Sequence, residues 1–321
     1  MRRPEPLDVD LLAFEQGTGE QRRAIVDGLA RSLGTGFVFT SHDIPVELID
    51  RAYGLLAEFF ALPAEAKQRW HVPESHGQTG YTGLLVETAA SSDVADWKEM
   101  LNWGAEVPEH HPLRTHYPHR YSTQVLPDDS AVPGLAKALR ELHDRVADLQ
   151  ARVLRIVALG LGADERFFDD LLVDGSHLTR AIHYPPMSEA PSGEHIWADA
   201  HGDINLITAL PRATERGLQL QTPEGWVDVV PPEGHVIVNS GMMLERISNG
   251  RIPAGVHRVI AGDGAPADRY SVVQFCHPAP WFQLAPLPSC VDAAHPVRYG
   301  TIEAGALLDR VLYEINLIAP D

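Results

Sequence analysis

The sequence predicts an α+β protein, mainly β in its second half. Two periodicities and one polar pattern lead there. Apolar residues recur at helical spacing over residues 20–60 and again over 133–161. From Leu178 onward the spacing changes to the alternation of β-strands: Arg180, Ile182 and Tyr184 share one face, and Thr179, Ala181 and His183 share the other. Polar pairs two residues apart, His201 with Asp203 and Arg269 with Ser271, fall within that strand-rich half, so one sheet face carries chemistry.

In chain order, residues 7–16 read as a short strand and a turn. Glu20 to Leu33 is a helix, with Ile25, Leu29 and Leu33 on one side and Gly34-Thr35-Gly36 to stop it. Phe37 to Thr40 is β-branched and aromatic, hence a strand. Pro45 opens a second helix, whose apolar positions include Leu48, Tyr53, Leu56, Phe59 and Phe60; it ends at Leu62-Pro63, and Ala64 to Lys67 starts another turn. Residues 105–130 are rich in Pro and His, but His110, His111, His116 and His119 keep no ligand spacing, so a solvated loop is the reading. From Pro133 to about Leu161 a long helix carries Leu135, Leu139, Leu142, Val146, Leu149, Val153 and Val157 as one stripe. Gly217–Leu220 and Gly225–Val229 form a hairpin across Thr-Pro-Glu-Gly, Gly234–Asn239 is a strand, Asn249-Gly250-Arg251 is a turn, and Val272–Phe275 completes a later strand. A terminal helix runs from Ile302 to about Ile318. The division drawn from this pass is residues 1–130, an α/β region, and 131–321, a helix-braced core, the two forming one compact unit.

The whole chain excludes several classes. With 321 residues it can bury a substantial core. Its formal charge of −18, from 44 acidic and 26 basic residues, disfavours nucleic acid and anionic membrane as partners. The two cysteines, Cys276 and Cys290, provide no disulfide framework and no Cys-x-x-Cys site, which fits a reducing cytoplasm. The start, Met1 to Pro6, has two arginines but no apolar stretch behind them, and no run of about 18 apolar residues follows anywhere. A monomer or homodimer acting on a small molecule is the expectation.

The chemistry centres on His201-Gly202-Asp203. On a strand, His201 and Asp203 reach one point while Gly202 faces away. His257, in Gly255-Val256-His257-Arg258-Val259-Ile260, supplies a third donor. Two imidazoles and one carboxylate on one face of a metal form the facial triad of non-haem Fe(II) oxygenases, with the remaining positions open. Arg269 and Ser271 then form a guanidinium–hydroxyl clamp for a carboxylate. Each signal alone has a bland alternative: surface polarity for His-x-Asp, a satisfied core histidine for His257. The ordered set carries the argument.

That set resembles the isopenicillin N synthase-like branch of the Fe(II)/2-oxoglutarate-dependent dioxygenases, from about residue 7 to about residue 285. The resemblance implies a double-stranded β-helix, a jelly-roll barrel with helices outside. It implies iron at His201, Asp203 and His257, and the distal carboxylate of 2-oxoglutarate at Arg269 and Ser271. Tyr184-Pro185-Pro186 resembles a family segment whose Tyr contacts 2-oxoglutarate. Ile182 stands where some relatives have Asn, so that contact is absent. Asn205 continues the face of His201 and Asp203, as a support behind the ligands or facing 2-oxoglutarate. Gly80-Tyr81-Thr82-Gly83 and Asp96-Trp97-Lys98-Glu99 resemble family segments on strands near the pocket; Tyr81 is a pocket wall or plain packing, and Lys98 and Glu99 a structural ion pair. Phe275 stands where some relatives stack a ring on substrate. Met242 replaces the Asp usual after Asn239-Ser240-Gly241. The implied activity is oxidation of a small metabolite, an amino-acid derivative or natural-product intermediate of secondary metabolism, using Fe(II), 2-oxoglutarate and O2, with ascorbate as an optional supporting reductant. The rivals are an oxidase of the isopenicillin N synthase or ACC oxidase kind without 2-oxoglutarate, zinc hydrolysis at the same ligands, and a non-catalytic binding barrel. Arg180, on the face of Tyr184, must be paired if buried: with a protein carboxylate, or with an anionic group of the substrate.

Overall fold

The computed structural model describes residues 6–75, 77–88, 94–193, 195–262 and 267–314. The first five residues and the expected end of the terminal helix, 315–318, lie outside them. The elements run β1 (Asp8–Val9), α1 (Leu11–Gln16), α2 (Gly19–Leu33), β2 (Phe37–Thr40), α3 (Val46–Phe60), α4 (Ala64–Gln68), β3 (Gly80–Thr82), β4 (Glu99–Gly104) and α5 (Pro112–His116). Then come α6 (Leu135–Gly160), α7 (Asp169–Leu172), β5 (Leu178–Tyr184), β6 (Ala198–His201), β7 (Ile207–Ala213), β8 (Leu218–Thr222), β9 (Gly225–Asp228), β10 (Val236–Ser240) and α8 (Met242–Ile247). β11 (His257–Val259), β12 (Arg269–Cys276), β13 (Gln283–Leu284), β14 (Ile302–Glu303) and α9 (Ala304–Glu314) complete the described chain.

Eight strands form one sheet in the order β1-β2-β10-β7-β12-β5-β4-β3, and four form a second, β6-β11-β8-β9. The first 130 residues therefore contribute β1 to β4 to the same sheet as the strands of the later half. One apolar cluster lies under the helices: Leu139, Leu142 and Val146 of α6 join Leu56 and Phe59 of α3 with Leu101, Ala181 and Val272 of the large sheet. A second lies between the sheets, where Met100, Ile182, Leu210 and Ile237 meet Leu218, Leu220 and Val259. This is the jelly-roll arrangement, with a 26-residue helix bracing its outer face. At about 1.5 Å per residue α6 is roughly 39 Å long, so it spans the sheet.

Several local expectations change. Residues 11–16 are helical rather than a turn, because Asp10 accepts the Ala13 N–H at 3.0 Å as an N-cap, and Leu11 and Phe14 point into the core. The His-rich segment contains a short helix, α5, whose N-cap is His111. β4 begins only at Glu99, so Asp96 to Lys98 precede the strand. The terminal helix starts at Ala304, after Ile302 and Glu303 pair with β13.

Register decides which side chains face the second sheet. In β12 against β5, Arg269 stands opposite Tyr184, Ser271 opposite Ile182 and Val273 opposite Arg180. In β4 against β5, Met100 is opposite Ile182 and Asn102 opposite Arg180. Opposed residues of an antiparallel pair share a face, so Arg180, Ile182, Tyr184, Arg269, Ser271 and Asn102 all point inward. Tyr81 is opposite Leu101, which is opposite Ala181, so Tyr81 points outward beneath the helices.

Candidate metal centre and its cavity

The small sheet carries two of the three candidate ligands. His201 ends β6 and His257 begins β11, directly opposite each other in the pairing, with ring centroids 4.4 Å apart. Asp203 sits in the connection from β6 to β7, where the chain crosses to the large sheet. The donor atoms of the three lie within 4.8 Å of one another, close enough for one ion.

Each donor is aimed by what holds its other side. His201 Nδ1 lies 2.7 Å from the Asp199 carbonyl, and His257 Nδ1 lies 2.9 Å from the Gly255 carbonyl. A carbonyl can only accept, so each Nδ1 carries the proton and each Nε2 presents a lone pair. Burial and the neighbouring His257 push the His201 imidazole down to about 4, which keeps it a neutral donor near pH 7. Burial pushes the Asp203 carboxyl up, but His257, His201 and hydrogen bonds from Thr208 and Asn239 outweigh it and hold it low. Thr208 Oγ1 (2.5 Å) and Asn239 Nδ2 (2.7 Å) both donate to Oδ2, which leaves Oδ1 for a metal. Gly255 can sit there because Gly36 lacks a side chain: a Cβ on Gly36, whose φ is +84°, would lie 2.5 Å from the Gly255 Cα.

The ligands open onto a cavity of about 420 Å³ between the sheets. Tyr184, Arg269, Ser271, Arg180 and Phe275 line it, as do Leu308, Val311 and Leu312 of α9. Arg269 is 1% exposed, its Nε donates to the Glu215 carbonyl (3.1 Å), its Nη1 to Ser271 Oγ (3.3 Å), and its Cζ lies 4.9 Å over the Tyr184 ring. Among the described residues no carboxylate pairs with it.

A family model described as the 2OG-Fe(II) oxygenase superfamily matches residues 175–278, and one described as the non-haem dioxygenase in morphine synthesis N-terminal region matches residues 9–128. A 2-oxoglutarate-Fe(II) type oxidoreductase of Emericella nidulans is 31% identical over 274 residues, 83% of this chain and 77% of that protein. The chain belongs to the 2OG-Fe(II) oxygenase superfamily. Among solved structures, a 2OG-Fe(II) oxygenase family protein from Caulobacter crescentus is similar at 32% identity with a TM-score of 0.83, covering 96% of this chain and 98% of that one. A full-length Neurospora crassa protein solved in complex with alpha-KG is similar at 26% identity with a TM-score of 0.81, covering 96% of this chain and 95% of that one. The protein is thus a non-haem iron, 2-oxoglutarate-dependent oxygenase, and its donor set fits both groups: two imidazoles and a carboxylate for Fe(II), and a buried guanidinium with no counter-ion among the described residues for a dicarboxylate.

Around the oxygenase cavity the structure selects among readings the sequence left open and changes one, the pairing of Lys98 with Glu99. Asn205 is fully buried and off the cavity wall; its amide donates to the Ile207 carbonyl (2.9 Å) and to Thr208 (3.0 Å), so it stands behind Asp203. Strand alternation stops at His201, and position 205 no longer shares that face. Tyr81 is packed against Phe59, and its hydroxyl donates to Glu99, so it is no part of the cavity wall. Lys98 and Glu99 do not pair with each other: neighbours on an extended chain, they turn to opposite faces, Lys98 to Asp96 and Glu87, Glu99 to Lys67 and His183. Arg180 is paired with a protein carboxylate, Glu87, at 3.1 Å. Phe275 does line the cavity, 5.5 Å below the Arg180 guanidinium. Met242 adds an apolar wall at the start of α8. Thr208, Asn239 and His277 were given no role at the site from the sequence, although each continues an alternation already visible there, Thr208 with Leu210, Asn239 with Ile237, and His277 with Phe275.

Proposed function

We propose that His201, Asp203 and His257 hold one Fe(II), that Arg269 and Ser271 hold the distal carboxylate of 2-oxoglutarate beside Tyr184, and that the cavity beyond takes a small organic metabolite for C–H oxidation. The observation that carries this reading is Arg269, buried to 1% exposure with no described carboxylate beside it. A buried cation without a counter-ion is costly, and a guanidinium fork with a hydroxyl fits a carboxylate in two-point contact. Bound Fe(II) supplies O2 activation coupled to conversion of 2-oxoglutarate into succinate and CO2. The chain's own groups do the rest. Asp199 and Gly255 orient the imidazoles, Thr208 and Asn239 fix the carboxylate, and Leu308, Val311 and Leu312 exclude water from the reacting carbon.

The substrate side supports a small molecule, since 420 Å³ is the scale of a metabolite site. The Neurospora crassa protein has also been solved in complex with alpha-KG and thymine, a small molecule. Hydroxylation is the simplest outcome, with desaturation or ring closure as variants. The reducing cytoplasm is the compartment we assign, in keeping with two buried, unbridged cysteines. No helix among the described residues is long and apolar enough to cross a membrane. The test is succinate formation. Reconstituted enzyme should release succinate from 2-oxoglutarate in an Fe(II)-dependent way, and Asp203→Ala should lose iron and turnover together. Substrate oxidation without succinate would return the oxidase reading, and full activity with iron retained in Asp203→Ala would overturn the ligand assignment.

A further inference from the structure

Besides the clamp, the cavity is lined by a group of two basic and two acidic side chains. Arg180 Nη1 lies 3.1 Å from Glu87 Oε1, Lys98 Nζ lies 3.2 Å from Glu87 Oε2, and Lys98 Nζ lies 2.8 Å from Asp96 Oδ2. All four line the cavity, and their side chains are only 5–14% exposed. Two cations meet two carboxylates, so the group is electrically closed without a ligand.

It is not closed in hydrogen bonds. Arg180 Nε donates to Asn102 Oδ1 at 2.7 Å, which with Glu87 fixes the guanidinium plane on one side. Among the described residues its Nη2 has no partner. Phe275 lies against the same guanidinium, and Leu308, Val311 and Leu312 form an apolar wall of the same cavity. A ligand there meets a fixed donor on a neutralised cation, with apolar surface beside it.

From this we infer that the primary substrate is uncharged and presents a carbonyl-type acceptor, as in an amide, lactam or imide, to Arg180, with an apolar body against Phe275 and α9. The inference rests on the assignment of iron and 2-oxoglutarate given above. On that assignment Fe(II), Asp203, the 2-oxoglutarate dianion and Arg269 also sum to zero, so a substrate carboxylate would enter as an unpaired charge in a water-poor site. Glu87 is then a specificity residue: it occupies the face of Arg180 that a substrate carboxylate would need, and repels one.

The experiment uses the Fe(II)- and 2-oxoglutarate-saturated protein without O2, so that the clamp is filled and nothing turns over. Matched pairs, nicotinamide with nicotinate and cinnamamide with cinnamate, are titrated by ligand-observed NMR. The expected result is amide binding at least ~10-fold tighter than acid binding in the native protein. Glu87→Gln, in which Lys98 keeps Asp96, is expected to shift that ratio toward the acids by ~10-fold or more, with 2-oxoglutarate affinity unchanged. Arg180→Met is expected to lose the amides. Acids binding as well as amides in the native protein, or neither member of any pair binding, overturns the inference. Failure to load 2-oxoglutarate at all would strike the assignment of the clamp instead, and would be seen before any probe is added.

Discussion

The two faces of β5 are polar to a similar degree and have opposite consequences. On the outer face His183 lies between two carboxylates, Nδ1 2.7 Å from Glu99 and Nε2 2.7 Å from Asp268, and stacks on Tyr270. Glu99 also receives Lys67 at 2.7 Å and the Tyr81 hydroxyl. Lys67 closes the group by donating to the Phe60 carbonyl, 2.8 Å away. On the inner face Arg269, opposite Tyr184, is buried and the Arg180 side chain is 14% exposed, yet each keeps a guanidinium edge unmatched by any described residue. Burial of charge does not by itself mark a functional site. What separates the faces is whether described protein groups fill the hydrogen-bond donors of the buried cations: Arg180 has its charge matched by Glu87 but keeps Nη2 open, and Arg269 has neither a described carboxylate nor a described partner for Nη2. The outer network ties α4 and β3 to the sheet; the inner groups are open to a ligand.

The comparison can be broken at its outer side first, where the largest effect is expected. Glu99→Ala leaves Lys67 and His183 buried without their shared acceptor and should cost about 3–5 kcal/mol in urea unfolding, while the folded fraction binds 2-oxoglutarate with native affinity. A stable variant that binds 2-oxoglutarate poorly would move the outer network into the site. On the inner side, Arg269→Lys keeps the charge but loses the fork. It should raise the 2-oxoglutarate Kd about 10-fold, or ~1.4 kcal/mol, with a melting temperature close to native; an unchanged Kd would mean the dicarboxylate binds elsewhere.

A smaller effect is expected in acid. Burial pushes the Glu87 carboxyl up, but Arg180 and Lys98 outweigh it and hold it at about 2, against 4.5 for the ordinary group. A depressed carboxyl stabilises the fold fully above 4.5 and loses that contribution as pH falls toward 2. Native protein should therefore lose ~1–3 kcal/mol more than Glu87→Gln over that window, read as the difference between their urea midpoints. Parallel curves would show that the inner group is not ionised in the folded state.

The candidate ligand pair and the candidate clamp were legible because each is local: His201 with Asp203 and Arg269 with Ser271 are two residues apart, and β12 turns the second spacing into a shared face. The stripe of α6 was legible for the same reason at helical spacing, with Leu139, Leu142 and Val146 all buried. The sequence left Asn205 between two places because the alternation that located Asp203 ends at the crossing between sheets. The side to which Tyr81 turns depends on pairing through β4 with β5, which no single segment encodes. The charged group of Glu87, Asp96, Lys98 and Arg180 joins positions up to 93 residues apart, and only the folded register brings them together. The helix at Leu11 was signalled by Asp10, an N-cap whose meaning depends on the three residues after it.

The central claim is that one iron sits between the two sheets on His201, Asp203 and His257. Anomalous diffraction at the iron edge, from crystals loaded without O2 with Fe(II) and 2-oxoglutarate, tests it directly. The account predicts a single peak within bonding distance of His201 Nε2, Asp203 Oδ1 and His257 Nε2, with the 2-oxoglutarate distal carboxylate on Arg269 and Ser271. A peak among His110, His111, His116 and His119, or a 2-oxoglutarate carboxylate seated on Arg180 instead, would contradict it.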